Sequence, residues 1–194
     1  MPADLTAGLE YNRDNLKDDM WGYNRYTKQT VNIGSAFLQN EWKNEKWSIL
    51  LGGRLDKHNL INHVIFSPRA NLRFNPSEDI NLRLSYSSGF RAPQAFDEDL
   101  HIENVGGTVS MIERAKNLKE EKSQSFSASA DMYHRFGAFQ VNFLVEGFYT
   151  RLSDVFVLEN IGERDGILIK ERRNGSGAKV LGLSMEGKMA YLNK

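Results

Sequence analysis

The feature that most constrains the fold of this chain is a strict alternation of apolar and polar side chains over residues 66–86. Successive side chains of a β-strand point to opposite faces of the sheet, so a period of two predicts strands with one apolar and one polar face. The Pro-Ser-Glu-Asp run at 76–79 interrupts the pattern and predicts the turn of a β-hairpin. The apolar positions are Phe66, Pro68, Ala70, Leu72 and Phe74 before the turn, and Ile80, Leu82, Leu84 and Tyr86 after it.

The same period recurs through the rest of the chain. Alternating segments lie at 5–12, 125–132, 139–146 and 181–189, and a further pair of strands brackets residues 43–46. Many of these strands are long for a soluble sheet and close to the length that crosses a bilayer obliquely. No segment has a convincing helical period. The expected fold is all-β, an antiparallel meander of about eight long strands that forms part of a large transmembrane β-barrel.

The connections between strands alternate in length. Short turns are expected at 43–46, 76–79 and 137–138, long polar loops at 13–29, 89–122 and 159–165, and a medium loop at 57–63. Short turns on one edge and long loops on the other are typical of outer-membrane barrels. Aromatic residues next to the short turns predict a girdle at one membrane interface; they are Trp42, Trp47, Phe74, Phe136 and Phe139. The charged strand residues have the opposite parity and predict a wet lumen; they are Arg54, Arg69, Arg73, Arg83, Asp131 and Glu146.

Composition removes several classes of function. Lys+Arg 25 against Asp+Glu 25 gives a net charge of zero, so no basic field favours nucleic acid. The absence of cysteine excludes disulfides, thiol nucleophiles and thiolate zinc sites. No apolar run approaches the roughly 20 residues of a membrane helix, a test that does not apply to β-barrels. The first residues lack the features of a signal peptide, so the chain either stays in the cytoplasm or lacks its natural N-terminus.

A cluster of acids beside a histidine follows the strand that ends at residue 91. Asp97, Glu98, Asp99, His101 and Glu103 could in principle hold a divalent cation, but they lack the regular spacing of a calcium loop. An acidic loop that contacts a cationic or metal-chelate ligand is favoured over a metal site or paired catalytic carboxylates. No nucleophile arrangement or nucleotide fingerprint occurs, so neither an enzyme nor a cofactor is expected. His58 and His63 match no common metal motif and are expected to be ordinary loop histidines.

Several motifs of the chain, in order, resemble the barrel of TonB-dependent outer-membrane receptors. They are GGRLD at 52–56, the run SPRANLRFNPSEDINLRLSYSSGFRAPQAFDEDLH at 67–101, and the glycine-rich NGSGAKVLGLSMEGK at 174–188. In that family an N-terminal plug fills a barrel of about 22 strands, and here a plug and an energy-coupling box are absent. Residues 1–194 are therefore expected to form one partial barrel segment of four whole hairpins.

The resemblance implies a protein of the bacterial outer membrane that contacts lipid and imports a scarce extracellular ligand. The family's ligands include ferric siderophores, cobalamin, haem and oligosaccharides, and energy comes from a TonB complex through the missing plug. In this interpretation Arg91 shapes the extracellular end of a strand, and Arg91, Asp97, Glu98, Asp99 and His101 are the candidates for ligand proximity.

Two alternatives from other classes remain open at this point. A soluble β-sheet module that binds a ligand on its loops predicts that Phe66, Leu72, Leu82 and Phe143 are buried against a second layer. A passive eight-stranded barrel requires residues 5–12 to pair with the strand that ends at Tyr191.

Overall fold

A computed structural model describes residues 1–23, 25–100, 103–105 and 108–191. The strands are β1 Ala3–Met20, β2 Arg25–Lys43, β3 Trp47–His58, β4 Val64–Ser77, β5 Ile80–Arg91, β6 Glu103–Val105, β7 Thr108–Arg114, β8 Glu121–Phe136, β9 Phe139–Ser153, β10 Phe156–Arg164, β11 Ile167–Asn174 and β12 Ala178–Tyr191. A 3₁₀ turn, Trp21–Tyr23, follows β1, and a one-turn helix, α1 Asp97–Leu100, follows β5. Within the described ranges, no helix has the length and apolar character needed to cross a membrane.

Eight strands form one antiparallel sheet in the order β1-β2-β3-β4-β5-β8-β9-β12. The register places the alternating residues of neighbouring strands in common rows, so that Leu72 lies opposite both Ile49 and Leu84, and Leu84 lies opposite Ala128. In the rows that these strands share, one face of the sheet is therefore apolar and the other polar. The predicted all-β meander of about eight long strands is confirmed, and the connections at 44–46, 78–79 and 137–138 are short as expected.

The apolar face is uncovered. Phe66 is 61% exposed, Leu82 38% and Phe143 41%, so no second layer packs against the positions that a soluble module would bury. Among the described residues β1 pairs only with β2, and β12 only with β9, which leaves two open edges. The closed eight-stranded barrel is therefore wrong, because residues 5–12 do not pair with the strand that ends at Tyr191.

Aromatic rings mark both limits of the apolar face. At the edge that carries the short turns, Trp47 stacks on Phe74 with ring centroids 4.1 Å apart, and Phe139 packs on Tyr191 at 5.2 Å. Near the opposite edge Tyr86 packs on Phe126 at 4.8 Å. We call these the turn edge and the loop edge. Trp47, Phe74 and Phe139 thus lie at the turn edge, where the sequence predicts aromatic residues. That these rings form a girdle at a membrane interface stays a prediction.

Two of the predicted long loops are wrong. Residues 13–29 were expected to be a loop, but β1 and β2 stay paired from Ala3↔Trp42 to Met20↔Arg25. Residues 159–165 belong mostly to β10, which turns into β11 at Asp165 and Gly166, both with positive φ. In these segments both faces meet water, so the backbone ladder continues while the apolar alternation that reveals a strand is lost.

A second sheet lies within the loop-edge connections. Its order is β10-β11-β7-β6, and β11 and β7 run parallel, from Ile167↔Val109 to Arg172↔Arg114. The predicted loop 89–122 thus contains α1, β6 and β7. Parallel pairing joins segments about 60 residues apart, which no local pattern in either segment indicates.

Candidate ligand-binding site at the loop edge

The helix α1 is fixed to the second sheet by a buried ion pair. Asp99 and Arg172 are each 3% exposed, and one carboxylate oxygen of Asp99, Oδ1, accepts hydrogen bonds from Nε of Arg172 at 2.9 Å and Nη2 at 2.7 Å. The other oxygen accepts the backbone N–H of Phe96 at 3.0 Å. The Arg25 guanidinium donates to the backbone carbonyl of Asp99. A charge buried in this way requires such complete pairing, so the contact ties α1 to both β11 and β2.

Arg91 lies at the last position of β5 and is exposed. Its guanidinium carbon sits 3.8 Å from the centroid of the Phe96 ring and 5.6 Å from that of Phe156. The two ring centroids are 6.0 Å apart, and the Arg172 guanidinium carbon lies 5.3 Å from the centroid of Phe96. The aromatic faces hold the Arg91 guanidinium in place. Cation–π contact uses none of its N–H groups, and within the described part of the chain these make no hydrogen bond.

The corner formed by Arg91, Ala92 and Pro93 at the end of β5 packs on a small apolar cluster. Ala92 packs with Ile61 and Ile65, and Phe90 covers them. The side chain of Gln29 in β2 accepts the backbone N–H of Ala95 at 2.7 Å. These contacts hold the end of β5 against the 59–63 loop, in agreement with the expectation that Arg91 shapes the end of a strand.

His58, the last residue of β3, lies beside the 59–63 loop. Its side chain is fully buried, and Nδ1 accepts the backbone N–H of Leu60 at 3.0 Å. Burial lowers the pKa of His58 from its usual value, and a hydrogen bond with Gln94 offsets part of the shift. The imidazole is therefore neutral at physiological pH and serves as a structural acceptor.

Glu120, just before β8, contacts two basic side chains. Its carboxylate lies 3.1 Å from Nε2 of His63 and 3.0 Å from the Lys122 ammonium. Burial raises the pKa of the Glu120 carboxyl. The hydrogen bonds that its carboxylate accepts from its own backbone N–H and from Lys122 outweigh burial, so the pKa is lowered from its usual value. Both loop histidines thus have structural contacts. Within the described part of the chain, no group of three or more His, Asp or Glu residues is placed to hold a metal ion.

The polar face below the corner carries both hydrogen-bonded and free charges. Arg54 donates to Glu10 at 2.9 Å, to Asp56 at 2.8 Å and to the Ser35 hydroxyl at 2.8 Å, and this network joins β1, β2 and β3. On β4 and β5, Arg73 lies directly opposite Arg83. Like charges that face each other destabilise a strand pair, so this side of the sheet favours an anionic neighbour.

The predicted site residues are brought together only in part. Arg91 and Asp99 lie on either side of Phe96, Asp97 and Glu98 lie in α1, and His101 falls outside the described residues. Sequence reasoning missed Arg172, Phe96 and Phe156, which complete the arrangement. Their partners are far away in sequence, so no local pattern indicated these contacts.

The main sheet has an exposed apolar face and a charged polar face, and a second sheet lies within its loop-edge connections. These features define a wall segment of a large membrane β-barrel. The sequence model of the family described as "TonB dependent receptor-like, beta-barrel" matches residues 2–192. The chain belongs to this family, whose members are receptors of the bacterial outer membrane.

Solved structures agree at the level of the fold. The siderophore receptor PirA of Pseudomonas aeruginosa superposes with a TM-score of 0.78 at 20% identity, over 95% of this chain and 35% of that one. A mutant of the ferric enterobactin receptor PfeA of the same species, in complex with enterobactin, gives 0.71 at 18%, over 94% and 30%. The FrpB iron transporter of Neisseria meningitidis gives 0.68 at 16%, over 98% and 32%. The chain spans about a third of the length of these proteins. No curated protein sequence gives a significant match.

Proposed function

We propose that this chain is part of an outer-membrane receptor that imports an anionic iron chelate of the siderophore class, driven by a TonB complex. Three of the similar structures are iron-uptake proteins by name: a siderophore receptor, a ferric enterobactin receptor and an iron transporter. Residues 1–194 would supply one segment of barrel wall, and the plug through which TonB acts would lie elsewhere in the protein. Lipid would contact the apolar face.

The observation that carries the proposal is the exposed Arg91 guanidinium, held over Phe96 above a polar face that contains the Arg73 and Arg83 pair. A fixed guanidinium with free N–H groups suits carboxylate or catecholate oxygens. The arginines of β4 and β5 add positive charge on the part of the polar face below Arg91. An anionic chelate therefore meets favourable charge at the rim and at the Arg73 and Arg83 pair.

The candidate residues would have different roles in this proposal. Arg91 contacts the ligand. Asp97 and Glu98, in α1, and His101, outside the described residues, stay candidates for ligand proximity. Asp99 acts indirectly, because its carboxylate is already occupied by Arg172 and by the Phe96 N–H, and so fixes the ring beneath Arg91.

The test is growth of an iron-limited bacterium that lacks its own siderophore receptors and expresses the protein from its complete coding sequence. Ferric catecholate, hydroxamate and carboxylate siderophores are supplied one at a time, with and without a functional TonB. We expect at least one to restore growth, only when TonB is present. Failure of all three classes, or growth that is independent of TonB, would overturn the proposal.

A further inference from the structure

We propose that the apolar side of the sheet carries, at its loop edge, a binding site for the phosphate groups of anionic membrane lipid, centred on Arg151 and Lys179. The proposal rests on the membrane location in the proposed function. It concerns the opposite face from the ligand path.

The position of the two residues is set by the register. Phe126, Tyr149 and Leu181 form the last apolar row before the loop edge on strands β8, β9 and β12. Two residues further along the same strands, with the same outward parity, the row becomes Gln124, Arg151 and Lys179. Leu181 is 75% exposed and Phe126 50%, so the change from apolar to basic occurs on an open surface. At a membrane interface this is the depth of the lipid headgroups.

The two cations lack partners of their own. Arg151 and Lys179 are directly opposite each other on β9 and β12, and both are exposed. In the described ranges neither side chain makes a hydrogen bond or an ion pair, whereas Lys57 donates to two loop carbonyls and Lys122 pairs with Glu120. Like charges that face each other across a strand pair cost stability unless an anion lies between them. A phosphate group would supply that anion.

The charges are sorted by face and by edge. In the eight strands of the main sheet, as far as they are described, Asp19 is the only carboxylate with the outward parity; all others lie on the polar face. The outward positions at the turn edge carry aromatic and apolar residues and His134, but no lysine or arginine. The chain as a whole has a net charge of zero, so this excess of cations is local. Basic residues next to an apolar surface attract anionic headgroups.

The experiment compares lipid binding by two variants of the protein, each produced from the complete coding sequence and purified in a nonionic detergent. The first, R151Q/K179Q, removes the proposed site. The second, K46Q/R135Q, removes the same charge at the turn edge. Bound palmitoyl-oleoyl phosphatidylglycerol is counted by native mass spectrometry, with palmitoyl-oleoyl phosphatidylcholine as the zwitterionic comparison. We expect R151Q/K179Q to bind phosphatidylglycerol about tenfold more weakly than the parent, and K46Q/R135Q to bind it equally well.

Three results would overturn the site. They are unchanged binding in R151Q/K179Q, an equal loss in both variants, and displacement of the lipid by inorganic phosphate at the same concentration, which would indicate a free-anion site. The conservative R151K variant keeps the charge and should keep binding, so the test holds even where the glutamine variant folds poorly. Siderophore binding is measured on the same samples. If the parent binds a siderophore but does not prefer phosphatidylglycerol over phosphatidylcholine, only the lipid site is refuted. If no sample, the parent included, binds a siderophore, the proposed function is refuted.

Discussion

Asp99 and Arg172 form a buried ion pair across 73 residues of sequence, in which Nε and Nη2 of the guanidinium bind the same carboxylate oxygen. The pair joins the short helix α1 to β11, and Arg25 adds a contact from β2. The contacts of Asp99 thus join three segments at the loop edge: α1, β11 and the start of β2. The surface that carries Arg91 is therefore held in place by the second sheet and by the top of the main sheet together.

Replacing Arg172 with glutamine should destabilise the contact between α1 and β11, because it leaves the Asp99 carboxylate buried without the charge of its ion-pair partner. Loss of one partner of a buried pair costs about 3–5 kcal/mol. We expect the effect to be local and to appear as faster proteolysis within residues 92–120, with the eight-stranded sheet intact. The double variant D99N/R172Q should recover part of the loss, since no unpaired charge remains. Equal protease resistance in R172Q and the parent would contradict the structural role.

The segment at residues 58–65 should become less stable as the pH falls. Burial lowers the pKa of folded His58 below the value of about 6.5 in the unfolded chain. The unfolded state therefore takes up a proton first, so the stability contributed by neutral His58 is fully present above about pH 6.5 and is lost as the pH falls below it. Hydrogen exchange of the 59–63 amides, corrected for intrinsic rates, should increase between pH 7.5 and pH 5.5.

Two variants separate His58 from its neighbour in that experiment. His58→Gln cannot titrate and should remove the excess pH dependence of the 59–63 amides. His63→Gln removes the partly exposed partner of Glu120. In this variant the pH dependence of the 59–63 amides should stay the same as in the parent. If His58→Gln shows the same pH dependence as the parent, His58 is not the titrating group.

The membrane part of the fold could be predicted from sequence because its two faces meet different solvents. Leu84 and Ser85 are neighbours in sequence and point to opposite sides, and this contrast repeats along every strand that has one apolar face. Residues 13–20 form an equally regular strand, yet they were expected to be a loop because both their faces are polar. Alternation reveals the contrast between two environments rather than the strand itself.

The site was predictable only as a location. The change from an alternating strand to an acidic run placed Arg91 and Asp99 at the loop edge. The residues that fix them, Arg172 and Phe156, belong to β11 and β10, which reach α1 only through the second sheet. Contacts between such distant segments depend on tertiary packing and leave no periodic signal.

A charge placed on the apolar face should destabilise the protein in a bilayer much more than the same charge on the polar face. Leu84 is 54% exposed on the apolar face, and Leu84→Arg near mid-bilayer should cost about 2–4 kcal/mol. Ser85→Arg is the matched control, one residue along the same strand and directed to the polar side. Urea unfolding in lipid vesicles, followed by tryptophan fluorescence, measures the difference. Equal costs would show that the apolar face does not meet lipid.

Removal of the Arg91 charge should weaken binding of an anionic iron chelate without unfolding the loop edge. The Arg91 guanidinium rests on aromatic rings and makes no salt bridge within the described part of the chain, so Arg91→Gln leaves no buried charge unpaired. A charge-assisted hydrogen bond contributes about 1.5–3 kcal/mol, so the dissociation constant should rise by about tenfold or more. Tryptophan fluorescence titration with a ferric siderophore, at low and high salt, measures the change. Arg135→Gln, at the turn edge, is the control and should bind as the parent does. An Arg91→Gln variant that binds as tightly as the parent, with the same salt dependence, would remove Arg91 from the ligand site.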